Sequence, residues 1–568
     1  MVDKNLCIEI LEELDKRKVK NQEDINKVKI LVSRRHKGVR IPNNVELLSM
    51  ISSENKELVQ VLSIKPTRTI SGVAVVAVMS KPFKCPHGVC IMCPGGPKSY
   101  FGDVPQSYTG NEPASRRAKR NHYDPYLQVM NRLEHYLCLH KVPDKIELII
   151  MGGTFPAMPK DYQEEFVKYC FKAFNDFSSL FFKNEEVDYN KFNEFFELPG
   201  DINDIGRTNR IHEKFIALKN SNVADLEKEQ LVNEDSKVRC IGMTVETKPD
   251  WGLLKHGNEL LKLGCTRVEV GVQSLDDEIL LRINRGHDLK DTIKSFQELK
   301  DLGFKINAHY MLGLPGSSKE KDLEDLKKLF SDERFKPDML KIYPCLVVKG
   351  TGLYTLYKLG KFRPMSTKEA AEIISEFKRD VPIYLRIMRV QRDIPSNIIS
   401  AGVDRTNLRE YVKQLCFEKG ISCRCIRCRE SGRARKIEDV DVFVKEYMAS
   451  DGREFFISFE DKENDVLVGF CRLRFPSKQL RKEFTEKTAI IRELHVYSSA
   501  VEIGKEAFEN QFQHKGLGKK LVSKAEDIAK ENGMDKMLVI SGIGVKRYYE
   551  KLGYKKEGSY MGKSLRNL

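Results

Sequence analysis

Two short cysteine runs carry the clearest chemistry in this chain. The first, KPFKCPHGVCIMCPGGP, sets Cys85, Cys90 and Cys93 in a C-x4-C-x2-C loop just after an apolar strand pattern at 72–78. Three thiolates on one loop can ligate three irons of a 4Fe–4S cluster, leaving the fourth iron open to chelate a substrate. A zinc ion would require a fourth protein ligand, and His87 lies inside the loop, where a joint tetrahedral site would be cramped. The second run, ISCRCIRCRESGR, sets Cys423, Cys425 and Cys428 in C-x-C-x2-C spacing adequate for zinc. Cys416, seven residues before Cys423, is the candidate fourth ligand, and Arg424, Arg427, Arg429, Arg433 and Arg435 make the stretch strongly positive.

A third pattern is phosphate-directed. Gln513, Gly516 and Gly518 form Q-x-x-G-x-G ahead of a helix pattern at 519–531. Glycines there let successive backbone N–H groups curl round a pyrophosphate, and the helix N-terminus favours its charge.

These groups need elements to position them. Strand patterns at 146–155, 240–250, 267–274, 304–316 and 339–350 run into Gly- or Pro-rich loops, with helix patterns such as 289–302 between them. Repeated strand–loop–helix units predict an α/β fold with a parallel sheet, as a complete or partial (β/α) barrel, with chemistry at the C-terminal strand ends. Residues 171–237 read as an acidic, Phe-rich helical insertion of no legible role. From about residue 437 the pattern changes to antiparallel strands, a Gly-rich turn, a helix and a Tyr-rich end, a separate α+β domain.

The first 70 residues read as basic helices, with Ile8, Leu11 and Leu14, then Ile25, Val28 and Leu31, at helical spacing. Arg34, Arg35, Lys37 and Arg40 follow, either as a solvated helix end or as a phosphate-contacting, tRNA-binding arm. The expected division is therefore 1–70, a barrel at 71–405, a Cys/Arg-rich zinc-binding linker at 406–436, and the α+β domain at 437–568.

The chain has 568 residues, 97 Lys plus Arg against 82 Asp plus Glu, and a pI near 9.0. A net charge of +15 suits a polyanionic partner such as nucleic acid. No apolar stretch approaches the roughly 20 residues of a membrane helix, and the start shows no signal peptide. A cytoplasmic location is expected, so the 14 cysteines point to reduced thiols and metal ligands more than to disulfides. Cys7, Cys138, Cys170, Cys240, Cys265, Cys345 and Cys471 are expected to be small core residues.

CPGGP (93–97), QSYTGNEPASRRA (106–118), MGGTF (151–155), ETKPD (246–250), GVQS (271–274) and YMLGLPG (310–316) together resemble the radical S-adenosylmethionine (SAM) superfamily. Within it they resemble the Elongator catalytic subunit family, whose longer cysteine loops continue into CPGGP. The strand ELHVY (493–497), the Gly-rich turn and VKRYYEKLGY (545–554) resemble the GNAT acetyltransferase fold.

The resemblance covers residues 70–568 and implies roles. Cys85, Cys90 and Cys93 would hold the cluster, and Gly152 and Gly153 would let the SAM amino group approach backbone carbonyls. Lys248, Glu269 and Gln273 would end strands at the barrel mouth, with Lys248 and Gln273 as SAM contacts. Glu493, Leu494, His495 and Val496 would lie along the pantetheine arm of acetyl-CoA, with Leu517, Gly518 and Lys519 at its pyrophosphate. Tyr549 would stand near the thioester sulfur, and Lys145 would bridge the two domains to acetyl-CoA.

The function implied is a tRNA-modifying enzyme acting on the anticodon stem-loop. A SAM-derived radical would take hydrogen from the acetyl methyl of acetyl-CoA, and the carbon would add at carbon-5 of the wobble uridine to give a carboxymethyl group. The alternative is a protein lysine acetyltransferase with a structural iron–sulfur cluster. Whether accessory subunits take part is not readable in the chain.

Overall fold

The computed structural model describes residues 4–36, 38–48, 50–51, 55–63, 72–198, 200, 204–405, 407–431, 437–497 and 516–566. Its centre is a seven-stranded sheet of β1 (Ala74–Met79), β2 (Lys145–Met151), β3 (Arg239–Thr247), β4 (Arg267–Gln273), β5 (Lys305–Leu312), β6 (Met339–Pro344) and β7 (Arg386–Arg389). The strands lie side by side in chain order, and every neighbouring pair is parallel. Each crossover advances one position, which is the progression of a barrel; β1 and β7 do not pair, so it is a half-barrel.

Helices cover the outer face. Leu289–Asp301 is capped by Asp288 and buries Phe296 and Leu299. The expected insertion at 171–237 begins inside the 22-residue helix Lys160–Phe181. Its Phe run is core: Phe171, Phe174, Phe177 and Phe181 are fully buried, and Phe192, Phe196 and Phe215 complete the cluster. The segment is an outer wall of the half-barrel, which hydropathy alone could not reveal because the acidic residues share its helices.

The first helices form, but their buried stripe is rotated from the expected one. Leu6, Cys7, Ile10 and Leu14 pack with Ile25, Val28 and Val32 in a small separate core, while Ile8 (45%) and Leu31 (38%) face solvent. The basic run after them is locally paired: Arg35 and His36 both meet Glu9, at 2.8 and 2.7 Å, and Arg40 meets Glu46. Lys37 lies outside the described residues.

The C-terminal domain is a second seven-stranded sheet of β8 (Asp441–Ala449), β9 (Gly452–Asp461), β10 (Val466–Phe475), β11 (Thr488–Val496), β12 (Lys536–Val539), β13 (Lys555–Glu557) and β14 (Tyr560–Ser564), ordered β8-β9-β10-β11-β12-β14-β13. Only β11 and β12 are parallel, and they pair solely over Thr488–Ile491. Beyond that point the two strands part, leaving one edge of Arg492–Val496 open.

This domain sits on the foot of the half-barrel, where the parallel strands begin. Lys305 at the start of β5 donates to the Arg492 carbonyl at 3.5 Å, and the Tyr560 hydroxyl donates to the Leu302 carbonyl at 3.0 Å. Lys300, Asp301 and Asp338 from the barrel meet Glu454, Arg474 and Arg492 from the C-terminal sheet, all fully buried. Arg492 pairs with Asp338 at 2.6 Å and Glu454 at 2.8 Å, and Arg474 pairs with Glu454 at 3.0 Å. Such charges persist in a dry interior only when mutually paired. The joint thus fixes one domain on the other.

Candidate functional site

A cavity of about 1440 Å³ runs through the half-barrel. Cys85, Cys90 and Cys93 line one end, and Glu493, Leu494, His495 and Tyr549 line the other. Strand periodicity explains its wall. Alternate residues of β4 (Arg267, Glu269, Gly271, Gln273), β5 (Lys305, His309, Met311) and β6 (Met339, Lys341, Tyr343) face inward, while Val268, Val270, Ile306, Ala308, Leu340 and Ile342 pack outward.

At the thiol end, the Ser107 N–H donates to the Cys93 sulfur at 3.2 Å, and an Arg285 N–H lies 3.7 Å from the Cys90 sulfur. Burial, then the neighbouring Cys93, pushes the Cys85 thiol up to about 11. Lys248 is 1% exposed, donates to Asp250 at 3.2 Å, and has its pKa lowered by burial and Arg285. Arg285 and Lys248 put positive charge beside the sulfurs, which favours thiolates. The donor set fits the expected cluster: three thiols on one loop open to a cavity. Their sulfurs are not drawn together for a single ion. Among the described residues, the three ligand atoms found within 4.8 Å of one another are instead those of Cys423, Cys425 and Cys428.

The two glycines also have a packing role. Gly152 and Gly153 have φ of +124° and +101°, which side-chain-bearing residues rarely adopt. A Cβ on Gly152 would lie 2.3 Å from the Ser80 hydroxyl, and one on Gly153 would lie 2.9 Å from the Gln106 Cβ. Their smallness is therefore required by packing of the strand end against the cysteine loop. Gly153 lines the cavity.

Glu269 is not at the mouth. It lies in mid-strand, 1% exposed, accepting from Asn307 at 3.0 Å, from His309 at 2.9 Å and from Lys341. Burial pushes its carboxyl up, but Lys341 and the His309 hydrogen bond outweigh this and hold it well below the usual range. Gln273, at φ +72°, does end its strand and lines the cavity.

At the opposite end, Glu493 accepts from Arg472 at 2.8 Å, and His495 Nε2 is buried without a hydrogen-bond partner among the described residues while the ring lines the cavity. Tyr549 is 5% exposed, and burial pushes its phenol well above the ordinary value. Val496 packs on the domain core. Gly516, at φ +72°, caps the helix Leu517–Glu531. Leu517 is a core side chain, so only its backbone could meet a phosphate, and Lys519 is exposed. A Cβ on Gly518 would lie 2.8 Å from the Tyr548 hydroxyl. Gln513 lies outside the described residues. Lys145 starts β2 near this domain, but its side chain is 40% exposed, sits 3.9 Å from Asp144 and does not line the cavity.

Several lining residues escaped the motif reading: Tyr108, which donates to Glu246 at 3.0 Å, together with Arg285, His309, Lys341 and Tyr343. One signal could have found those on strands. Fully covered parallel strands read as continuous apolar runs, whereas KINAHYML and RVEVGVQ place a polar residue or glycine at alternate positions. Arg116, Arg117 and Arg120 also line the cavity, with Arg120 donating to Asn131 at 2.7 Å.

In the second cysteine run, Lys378, 7% exposed, lies 3.7 Å from the Cys428 sulfur. Burial opposes its charge, but the surrounding thiols Cys423, Cys425 and Cys428 win and raise its pKa. Cys416, the expected fourth ligand, is buried on the helix Leu408–Glu418 and does not join the group. Arg433 and Arg435 lie outside the described residues, and Arg429 is turned inward to Glu460 at 2.8 Å. The seven cysteines expected in the core are all buried.

Comparison with known proteins agrees with this architecture. Family models match at residues 4–70 (ELP3 N-terminal domain), 79–329 (radical SAM superfamily), 337–416 (radical SAM C-terminal domain) and 422–554 (GNAT acetyltransferase family). A tRNA uridine(34) acetyltransferase of Methanocaldococcus infernus is 45% identical over 98% of both chains. Elongator complex protein 3 of Schizosaccharomyces pombe is 39% identical, again over 98% of each. The solved structure of archaeal Methanocaldococcus infernus Elp3 lacking residues 1–46 superposes with a TM-score of 0.70 at 40% identity, covering 87% of this chain and all of that one.

Proposed function

The chain belongs to the Elongator complex protein 3 family and is an enzyme with radical SAM and GNAT domains, and from that premise we propose that it modifies the wobble uridine of tRNA by adding a carboxymethyl group at carbon-5. The observation that carries this reading is the single cavity joining the thiol loop to Glu493, His495 and Tyr549. A 4Fe–4S cluster on Cys85, Cys90 and Cys93, with SAM, supplies the radical chemistry that an unactivated acetyl methyl requires.

The chain's own residues have separable tasks. Arg285 and Lys248 hold positive charge at the thiol end. The open edge of Arg492–Val496 can take the pantetheine arm, Gly516 to Lys519 its pyrophosphate, and Tyr549 can orient the thioester sulfur. Lys145 is the proposed bridge between domains. Arg116, Arg117 and Arg120 suit the phosphates of an anticodon stem-loop, which positions the RNA while the target base is flipped inward. Cys423, Cys425 and Cys428 are proposed to hold a structural zinc ion.

A lysine acetyltransferase reading draws less support, because Tyr549 lines the same cavity as the thiol loop. The test is anaerobic turnover of the reconstituted protein with SAM, acetyl-CoA and tRNA, followed by nucleoside mass analysis. A 5-carboxymethyl mass increment on uridine supports the proposal; an unmodified tRNA with acetylated protein lysines sinks it. Tyr549→Phe is expected to lower tRNA-stimulated acetyl-CoA hydrolysis with iron content unchanged. Lys145→Ala behaving as wild type would remove the bridging role.

A further inference from the structure

The middle of the lumen holds a built acid–base group that neither end of the cavity accounts for. His309 lies on β5 four residues beyond Lys305, which touches the C-terminal domain. At about 3.3 Å per residue, it stands roughly 13 Å up the lumen from that foot. Its side chain is 13% exposed, and its ring meets Tyr343 edge-on, with centroids 5.6 Å apart. Nε2 lies 2.9 Å from Glu269 Oε2. Glu269 also takes Asn307 and Lys341, so it is fixed from three sides.

A carboxylate held in this way accepts only, so Nε2 must carry the ring proton and Nδ1 is left as an acceptor. Nδ1 makes no hydrogen bond among the described residues and is not one of the sealed, partnerless polar atoms, so it opens on the lumen. Burial and the Lys341 ammonium disfavour the imidazolium. A neutral imidazole oriented by a carboxylate is the arrangement of a general base.

The proposed reaction has a step in need of one. After carbon–carbon bond formation the RNA carries a CoA thioester, which must be hydrolysed. We infer that His309 is the general base for that hydrolysis, and that Glu269 positions it. Nδ1 takes a proton from water as its oxygen bonds to the thioester carbonyl carbon. The carbon–sulfur bond then breaks, the sulfur leaves with the electron pair, and the imidazolium returns its proton to that sulfur. Water and thioester become a carboxylic acid, which ionises, and a thiol; no oxidant or reductant enters.

This rests on the carboxymethyl reading, and the test separates the two. Reconstituted wild-type protein, His309→Gln and Glu269→Gln are incubated with SAM, acetyl-CoA and tRNA, and the RNA is analysed intact and as nucleosides. In His309→Gln, 5′-deoxyadenosine still forms, RNA-linked CoA thioester accumulates, and carboxymethyluridine falls about 100-fold. Added hydroxylamine, which cleaves thioesters directly, releases the CoA. Glu269→Gln is expected to accumulate less of the same adduct.

A variant that makes wild-type amounts of carboxymethyluridine, or one that makes neither adduct nor 5′-deoxyadenosine, overturns the assignment. A wild type that makes no carbon-5 product overturns the reading beneath it. Independently of turnover, histidine ¹⁵N spectra of the cofactor-free chain are expected to show His309 as the Nε2–H tautomer at neutral pH. A protonated Nδ1 there would also overturn the inference.

Discussion

The two cysteine triplets share a C-x2-C half and the same pattern of exposure, but differ in their first gap and in what surrounds them. Cys85, Cys90 and Cys93 sit on a loop at the mouth of a large cavity, with Arg285 and Lys248 nearby and their sulfurs apart. Cys423, Cys425 and Cys428 converge within 4.8 Å around the end of a buried lysine, between two domains. Zinc–sulfur bonds of about 2.3 Å keep the thiolates of one ion within roughly 4.6 Å of each other, which the second set approaches and the first does not. The first arrangement leaves room for a larger group with an open position. The second triplet is not among the residues that line that cavity. What separates the two sets is where the fold puts them: the first lines the cavity, and the second has its sulfurs drawn together away from it.

The sharpest way to break this contrast is a serine at each site. Cys90→Ser is expected to abolish 5′-deoxyadenosine formation, measured anaerobically, with little change in thermal midpoint. Cys425→Ser should do the reverse, costing about 1–3 kcal/mol of stability by removing a buried member of the thiol group around Lys378, while folded molecules still cleave SAM. If Cys425→Ser stopped SAM cleavage in protein of unchanged stability, the structural role assigned to the second triplet would be wrong.

Chelation sharpens the same point. If the second triplet holds the proposed zinc ion, a chelator is expected to lower the thermal midpoint of the wild type and to leave that of Cys425→Ser unmoved. Lys378→Met strips the positive charge from the thiol group and should cost about 1–3 kcal/mol in denaturant titrations; equal stability in both forms would make the lysine incidental.

The smallest effect separates the triplets by pH. Near the first, burial, then Arg285, lowers the pKa of His287 to about 2. Because the folded value lies below the unfolded one near 6.5, the unfolded chain binds the proton first. Stability is complete above pH 6.5 and is lost as pH falls, by about 2 kcal/mol at pH 5. His287→Phe should flatten that slope in thermal melts. An unchanged slope would place the acid sensitivity elsewhere.

Much of this was legible in the chain. The barrel strands, the cysteine loop, the Gly-rich turn and the change of fold near residue 437 were carried by local pattern, since hydrophobic periodicity and turn residues act over a few positions. The cavity-lining residues Glu493, His495 and Tyr549 were named by resemblance. The N-terminal stripe was harder to place. Ile8, Leu11 and Leu14 satisfy helical spacing as well as Leu6, Ile10 and Leu14 do, and only the packing of Leu6, Cys7 and Ile10 selects between these two adjacent faces. Glu269 was drawn to the mouth by its sequence neighbours, although its partners Asn307, His309 and Lys341 come from two other strands.

The sequence by itself determined which elements form and which thiols, glycines and carboxylates are available, because those depend on neighbours along the chain. Only the tertiary structure decided that the second domain seats on the foot of the half-barrel through Asp338, Glu454 and Arg492, making one cavity of two sites. It alone decided which triplet is open, and that His309 meets a carboxylate 40 residues away in the chain. Such pairings depend on strand register and on mutual charge compensation in a dry interior, and neither is written in any local stretch of residues.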